Sequence, residues 1–299
     1  MEKRAMKRSR KLLAIAALAA ALSGSLPARV SAADYANPHL LVSAATLNQM
    51  LARDNVRVID VRPKKDYDTG HIPKATNISA DSVNDPDAHV DGARLSDDKL
   101  AALFGGNGID KNTHVVLYDD KGGFHAARLF WMLEYLGHRK VSILNGGIQR
   151  WSAEGFDLKR DQPRMRPARF TPTVMERRHA TADWLLDRRD DKIVVLIDVR
   201  PPALHQKGHI PWSRNIPWAQ NLGKDGMMKS ADELLAHFAA QGVTPDKNIA
   251  THCTDGKASG HTYFTLRLLG YPRLRSYDRS WAEWGAADDL PKVVPRARG

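Results

Sequence analysis

Two stretches decide how this chain folds: "IDVRPKKDYDTGHIPKATNI", residues 59–78, and "IDVRPPALHQKGHIPWSRNI", residues 197–216. Aligned at a constant offset of 138, they share Ile-Asp-Val-Arg-Pro, Gly-His-Ile-Pro and Asn-Ile. A second echo pairs "FWMLEYLGHRKVSILNGGIQRW" (130–151) with "YFTLRLLGYPRLRSYDRSWAEW" (263–284) at an offset of 133. That period is the length of a domain and far too long for a stacked repeat, so the chain holds two copies of one domain.

Each copy reads as α/β. "VRVID" and "KIVVLID" are short β-branched runs of the kind that buried parallel strands need, and "THVVLY" and "KNIATH" supply a second strand in each copy. Helical stretches are expected at Ser43 to Ala52, Ala126 to Leu136, Ala231 to Ala240 and His261 to Leu269. Strands alternating with helices imply parallel sheets covered on both faces. "DLKRDQPRMRPARFTP" (157–172) has three prolines, many charges and little periodicity, which marks a linker. The expected layout is a first domain over 39–157, a linker over 158–176 and a second domain over 177–299.

The first 32 of the 299 residues read as a secretory signal: a basic stretch from Lys3 to Lys11, an apolar run from Leu12 to Leu22, then Val30-Ser31-Ala32. The apolar run is too short to span a bilayer, so cleavage after Ala32 and a periplasmic or secreted product are expected. Seven basic residues against Glu2 leave with that segment, taking +6 of the formal +11 and leaving +5. This balance speaks against nucleic-acid binding and suits small anionic substrates.

The chain has one cysteine, Cys253, in "THCTDGKASGH" (251–261), so an intramolecular disulfide is excluded. The residue follows a strand and precedes a helix that begins close to Ser259. Ligands of open α/β sheets bind at the carboxyl ends of the strands, and a loop feeding a helix N-terminus turns its N–H groups toward an anion. A thiolate is such an anion. The alternative for a lone cysteine is an inert packing residue; the loop position argues for a nucleophile. Gly256 permits a tight turn. Thr254, Asp255, Gly256, Lys257 and Ala258 would wall the site, with Lys257 as the cation of the loop, and Arg200, at the end of a strand on the same side, is a further candidate for substrate contact.

The chain resembles the tandem rhodaneses, two-domain sulfurtransferases. The motifs that carry the resemblance are Asp-x-Arg at 60–62 and 198–200, Gly-His-Ile-Pro at 70–73 and 208–211, Asn-Gly-Gly at 145–147, Tyr-Asp-x-Ser-Trp-x-Glu-Trp at 277–284, and the six-residue loop starting at Cys253. The resemblance implies two rhodanese-like domains, the first silent because an acidic residue, Asp119 or Asp120, stands where Cys253 stands in the second. It implies a ping-pong reaction: Cys253 takes the outer sulfur of thiosulfate, becomes a persulfide, and passes the sulfur to cyanide or a thiol. Mercaptopyruvate is the alternative donor, and a rhodanese fold that binds without catalysis is the competing class. No metal or organic cofactor is implied.

The loop departs from the thiosulfate-preferring pattern, which has basic residues where Thr254 and Asp255 stand, and from the glycine-serine-glycine-valine-threonine of mercaptopyruvate enzymes. Leu204 and His205 occupy the stretch where a further substrate arginine is found in the animal enzymes, and Arg279 replaces a glycine in the Tyr-Asp-Gly-Ser-Trp motif. A phosphatase would need an arginine at Ser259 to grip phosphate. His71 and His209 are expected to be structural, and His252 to face away from Cys253. His205 and His209 have i, i+4 spacing, but Gly208 and Pro211 argue against the helix a zinc pair would need. Trp184, Trp212 and Trp218 are expected in core or interdomain packing.

Overall fold

The computed structural model describes residues 35–295. The signal sequence expected over residues 1–32 lies outside the described residues.

The first sheet is formed by β1 (Leu41–Val42), β2 (Val56–Asp60), β3 (Ala75–Asn77), β4 (His114–Tyr118) and β5 (Val141–Leu144) in the order β1-β5-β4-β2-β3. The second is formed by β6 (Val194–Asp198), β7 (Arg214–Asn215), β8 (Asn248–His252) and β9 (Leu274–Ser276) in the order β7-β6-β8-β9. Every pairing within both sheets is parallel. Helices α1 (Ala44–Met50), α2 (Lys64–Thr69), α3 (Asp97–Gly106), α4 (Ala126–Tyr135) and α5 (Gly147–Ala153) belong to the first copy. Helices α6 (Ala182–Leu186), α7 (Pro202–Lys207), α8 (Ala231–Ala240), α9 (Ser259–Leu268) and α10 (Ser280–Trp284) belong to the second.

The four strands expected from β-branched runs are β2, β4, β6 and β8, which lie in the interior of their sheets and are buried along most of their length. The shorter strands on either side carry too few residues to show a period. Local chemistry sets the helix ends. Ser43 and Ser230 accept from the N–H groups of Thr46 and Glu233, and Glu233 closes a capping box at the start of α8. Helix α3, absent from the sequence reading, starts in the same way on Ser96.

The register is the same in both copies. Asp60 pairs with Tyr118 across β2 and β4, and Asp198 pairs with His252 across β6 and β8. The next residue after β4 is Asp119 and the next after β8 is Cys253, so both stand at the carboxyl edge of their sheets.

The domains meet along α4 and α9. A side chain on Gly260 would run into the backbone of Ala127 and Arg128, so the two helices touch backbone to backbone there. Farther along, Phe130 packs on Phe264, and Arg267 grips Glu134 through Nε and Nη2, the latter at 2.8 Å. Contacts advance together along both helices. Gly260 faces Ala127 and Arg267 faces Glu134, both at the 133-residue offset of the duplication, as in the self-complementary interface of a symmetric dimer.

The stretch 158–176 is pinned to the first domain. Lys159 exchanges two backbone hydrogen bonds with His71, and Ala168, Thr173 and Met175 donate to Gly105, Leu136 and Tyr135. Val293 makes the matching exchange with His209 in the second copy.

Candidate active site

Cys253 is 1% exposed, yet its sulfur is not surrounded by hydrocarbon alone. Sγ accepts a hydrogen bond from the Gly256 N–H at 3.1 Å. Ser280 Oγ lies 3.8 Å away and Asp255 Oδ1 4.0 Å away. The loop is braced from outside: Trp281 and Ala282 donate their N–H groups to the carbonyls of Cys253 and Thr254, which turns those carbonyls outward. Ser280 accepts from the Cys253 N–H at 3.0 Å and donates to the Tyr277 carbonyl at 2.8 Å. It holds this position with φ of +53°, a conformation that side chains rarely adopt and that structures retain where position matters. Gly256 has φ of +81°, and a Cβ there would collide with the carbonyl of Asp278.

The first domain carries the same loop in filled form. Asp119, fully buried, spreads its carboxylate across four amides: Oδ1 accepts from Lys121 and Gly123, each at 2.9 Å, and Oδ2 from His125 at 2.7 Å and Ala126 at 3.0 Å. The acidic residue in the cysteine's place is therefore Asp119, with Asp120 half-buried beside it. The two loops have equivalent ends, and at the second one the N–H groups of Ala258 and Ser259 have no protein acceptor among the described residues. An anion one atom beyond Sγ would meet the same kind of donors that hold Asp119 Oδ2.

Behind the loop, Asp198 binds Arg200 through Nε and Nη2, with the Nη2 contact at 2.6 Å, and accepts from His205 Nδ1 at 2.8 Å. Burial would raise the Asp198 pKa, but the Arg200 hydrogen bond and the His252 and Arg200 charges hold it down at about 2. Arg200 also donates to the Gly208 carbonyl at 2.7 Å and lies over the Trp281 ring. The expectation of substrate contact by Arg200 meets a different placement: its guanidinium locks strand β6 to the Gly-His-Ile-Pro turn. Arg62 repeats this arrangement on Asp60 and the Gly70 carbonyl. The remaining partners differ: Tyr118 donates to Asp60 at 2.6 Å where His252 stands 3.9 Å from Asp198, and Tyr67, in the place of His205, donates instead to the Ala75 carbonyl. His252 is buried, its pKa is pushed down to about 4 by desolvation, and its nearest hydrogen-bonding contact near the loop is the Cys253 carbonyl, not the sulfur.

Thr254 is exposed, whereas Asp255 and Lys257 are half-buried. Lys257 Nζ sits between two carboxylates, 3.4 Å from Asp255 and 3.4 Å from Asp81 of the first domain. The first domain also covers the loop: a Cβ on Gly92 would strike the Asp255 carbonyl. Arg128 binds Asn84 at 2.7 Å and the Gly92 carbonyl, and its Nε has no partner among the described residues. Burial pulls the Arg128 pKa down against the fields of Asp278, Asp255 and Cys253. Arg94 pairs with Asp97, and its Nε lies 3.8 Å from the buried Asp278, to which His179 also binds. The sequence reading missed Arg128, Arg94 and Asp81. Arg128 did leave a signal, being a charge inside the otherwise apolar start of α4.

His71 and His209 each stack at 3.9 Å, on Tyr67 and His205, and bond a helix carbonyl. Helix α7 includes His205 and stops at Gly208, which leaves His209 outside it. Trp212 packs on Trp284, Trp184 takes Arg188 and Arg275 on its ring, and Trp218 lies across the domain interface on Phe124.

The model of the rhodanese-like domain matches twice, over residues 43–154 and 181–287. The chain belongs to the rhodanese family. Among proteins similar to this rhodanese is the "sulfur carrier protein TtuD" of Thermus thermophilus, 38% identical over 282 residues that cover 86% of this chain and 97% of that one. The thiosulfate sulfurtransferase of Azotobacter vinelandii is 30% identical, covering 86% of this chain and 98% of that one. The bovine thiosulfate sulfurtransferase is 34% identical over 74% of this chain and 79% of its own. A solved structure of SseA from Escherichia coli, described as a 3-mercaptopyruvate sulfotransferase, superposes with a TM-score of 0.75 at 27% identity, covering 81% of this chain and 98% of that one. The chain is a rhodanese-family sulfurtransferase.

Proposed function

We propose that this rhodanese carries a sulfane sulfur as a persulfide on Cys253, loading it from thiosulfate and releasing it to cyanide or a thiol. The observation that carries the proposal is the Gly256 N–H on Sγ at 3.1 Å, next to loop amides without acceptors among the described residues. The Cys253 thiolate attacks the outer sulfur of the donor, the Sγ–S bond forms, and sulfite leaves with the electron pair of the broken S–S bond. Amides of the loop stabilise the negative charge on the attached sulfur without reorganising. Since the chain has no second cysteine, the persulfide waits for an external acceptor.

Relatives named as thiosulfate sulfurtransferases support thiosulfate as donor, and the likeness to SseA supports mercaptopyruvate as the second donor to try. The pairing of Lys257 with Asp255 and Asp81 favours the competing reading, a module that binds without turnover. Incubation with thiosulfate should add one sulfur atom to the intact mass, and cyanide should remove it as thiocyanate. Cys253→Ser should show neither change. Identical behaviour of wild type and variant would leave the binding module.

The basic-apolar-small pattern of residues 1–32 supports export, with cleavage after Ala32. N-terminal sequencing of the protein recovered from the periplasm tests this, and a product that still begins at Met1 would refute it.

A further inference from the structure

The carboxylate beside the sulfur carries a consequence for the donor. Asp255 Oδ1 lies 4.0 Å from Cys253 Sγ, and this residue is held in place, since Oδ1 also accepts the Lys257 N–H at 3.3 Å. The nearest cation, Lys257, is shared between Asp255 and Asp81. The other two cations that the first domain sets around the loop are engaged as well: Arg94 with Asp97 and Asp278, and Arg128 with Asn84 and the Gly92 carbonyl. Arg128 Nε remains without a partner, but the residue is sealed from solvent. A dianion approaching Sγ thus meets a fixed carboxylate and no unshared mobile cation, and like charges at such distances repel strongly in a half-buried site.

We propose that Asp255 selects the donor: the site prefers a hydropersulfide, whose sulfane group carries at most one negative charge and which reacts through its protonated form R–S–SH, over the thiosulfate dianion. This deepens the persulfide-carrier reading and rests on it. In the step, the Cys253 thiolate attacks the outer sulfur of R–S–SH. The Sγ–S bond forms while the R–S–S bond breaks, and the electron pair departs on R–S⁻. The proton stays on the transferred sulfur, where Asp255 accepts its hydrogen bond, and Cys253 becomes a hydropersulfide. Sulfane sulfur moves from one thiolate to another, so no outside oxidant or reductant is required. Thiosulfate offers Asp255 no hydrogen to accept, only more negative charge.

The test measures the second-order rate of Cys253 persulfide formation by quenched-flow intact mass, with sodium thiosulfate and with cysteine persulfide. Wild type should load from cysteine persulfide at least tenfold faster. Asp255→Asn should raise the thiosulfate rate at least tenfold and lower the cysteine persulfide rate. Asp81→Asn, an exposed position away from the sulfur, should also raise the thiosulfate rate by freeing Lys257, by about threefold. A thiosulfate rate equal to or above the persulfide rate in wild type overturns the proposal, as does an equal change with both donors in Asp255→Asn. Failure of Cys253 to load from either donor would instead refute the persulfide-carrier reading itself.

Discussion

Asp119 and Cys253 occupy the same position in two copies of one loop, and they differ in what fills the cradle. The Asp119 carboxylate accepts four backbone N–H groups, while the Cys253 sulfur accepts one, from Gly256. The first domain supplies its own anion permanently. The second leaves the Ala258 and Ser259 N–H groups without an acceptor among the described residues, open to the proposed persulfide. Replacing Asp119 by Ala should therefore cost about 3 kcal/mol of stability in urea unfolding, because buried donors to a charged group lose their partner. Sulfur loading of the folded variant should stay near wild type. A loss below 1 kcal/mol would show that the carboxylate does not hold the loop.

Gly256→Ala should damage the reaction more than the fold. The Cβ would press on the Asp278 carbonyl, and φ of +81° is strained for alanine, so the Gly256 N–H should swing off Sγ. The expected result is a loss of about 100-fold in the rate of persulfide formation, in keeping with removal of one anion-stabilising donor. The expected stability cost is about 2 kcal/mol. Unchanged loading kinetics would contradict the role given to this amide.

The contact of Glu134 with Arg267 and Tyr263 ties the domains together at the far end of α4 and α9. Burial would raise the Glu134 pKa, but the Arg267 hydrogen bond and charge bring it below its ordinary value. Glu134→Ala leaves a half-buried guanidinium without its partner, which should cost about 2 kcal/mol. The calorimetric midpoint should fall accordingly, since the interface loses a charged, hydrogen-bonded pair. An unchanged midpoint would refute the assignment.

Acid should weaken the protein in two stages. Desolvation pushes the pKa values of His252 and His261 down to about 4, while the unfolded chain takes up these protons near pH 6.5. Stability is then full above about pH 6.5 and falls as the pH drops toward 4, by up to about 3 kcal/mol for each ring. Asp198, held at about 2, stabilises above the unfolded value near 3.9, and its contribution is lost as the pH falls from there through 2. Urea unfolding at pH 7.5, 6 and 5 measures the first stage. His261→Asn, which keeps a polar side chain facing the Gly122 carbonyl, should flatten the slope, and an identical slope in wild type and variant would count against it.

The sequence by itself determined the duplication, the central strands, the place of Cys253 one residue beyond β8 and the turn at Gly256. All of these follow from short-range rules: β-branched runs make buried strands, and a residue after the strand end stands at the sheet's carboxyl edge. The tertiary structure decided which charges meet. Asp198 claims Arg200, although nothing in Asp-x-Arg says which way the guanidinium turns. Lys257 is shared with Asp81, and Gly92 lies against the Asp255 carbonyl, only because α4 docks on α9 through Gly260. Such pairings depend on how one domain is seated on the other, and a seat made by backbone contact between distant helices leaves no period in the chain to read.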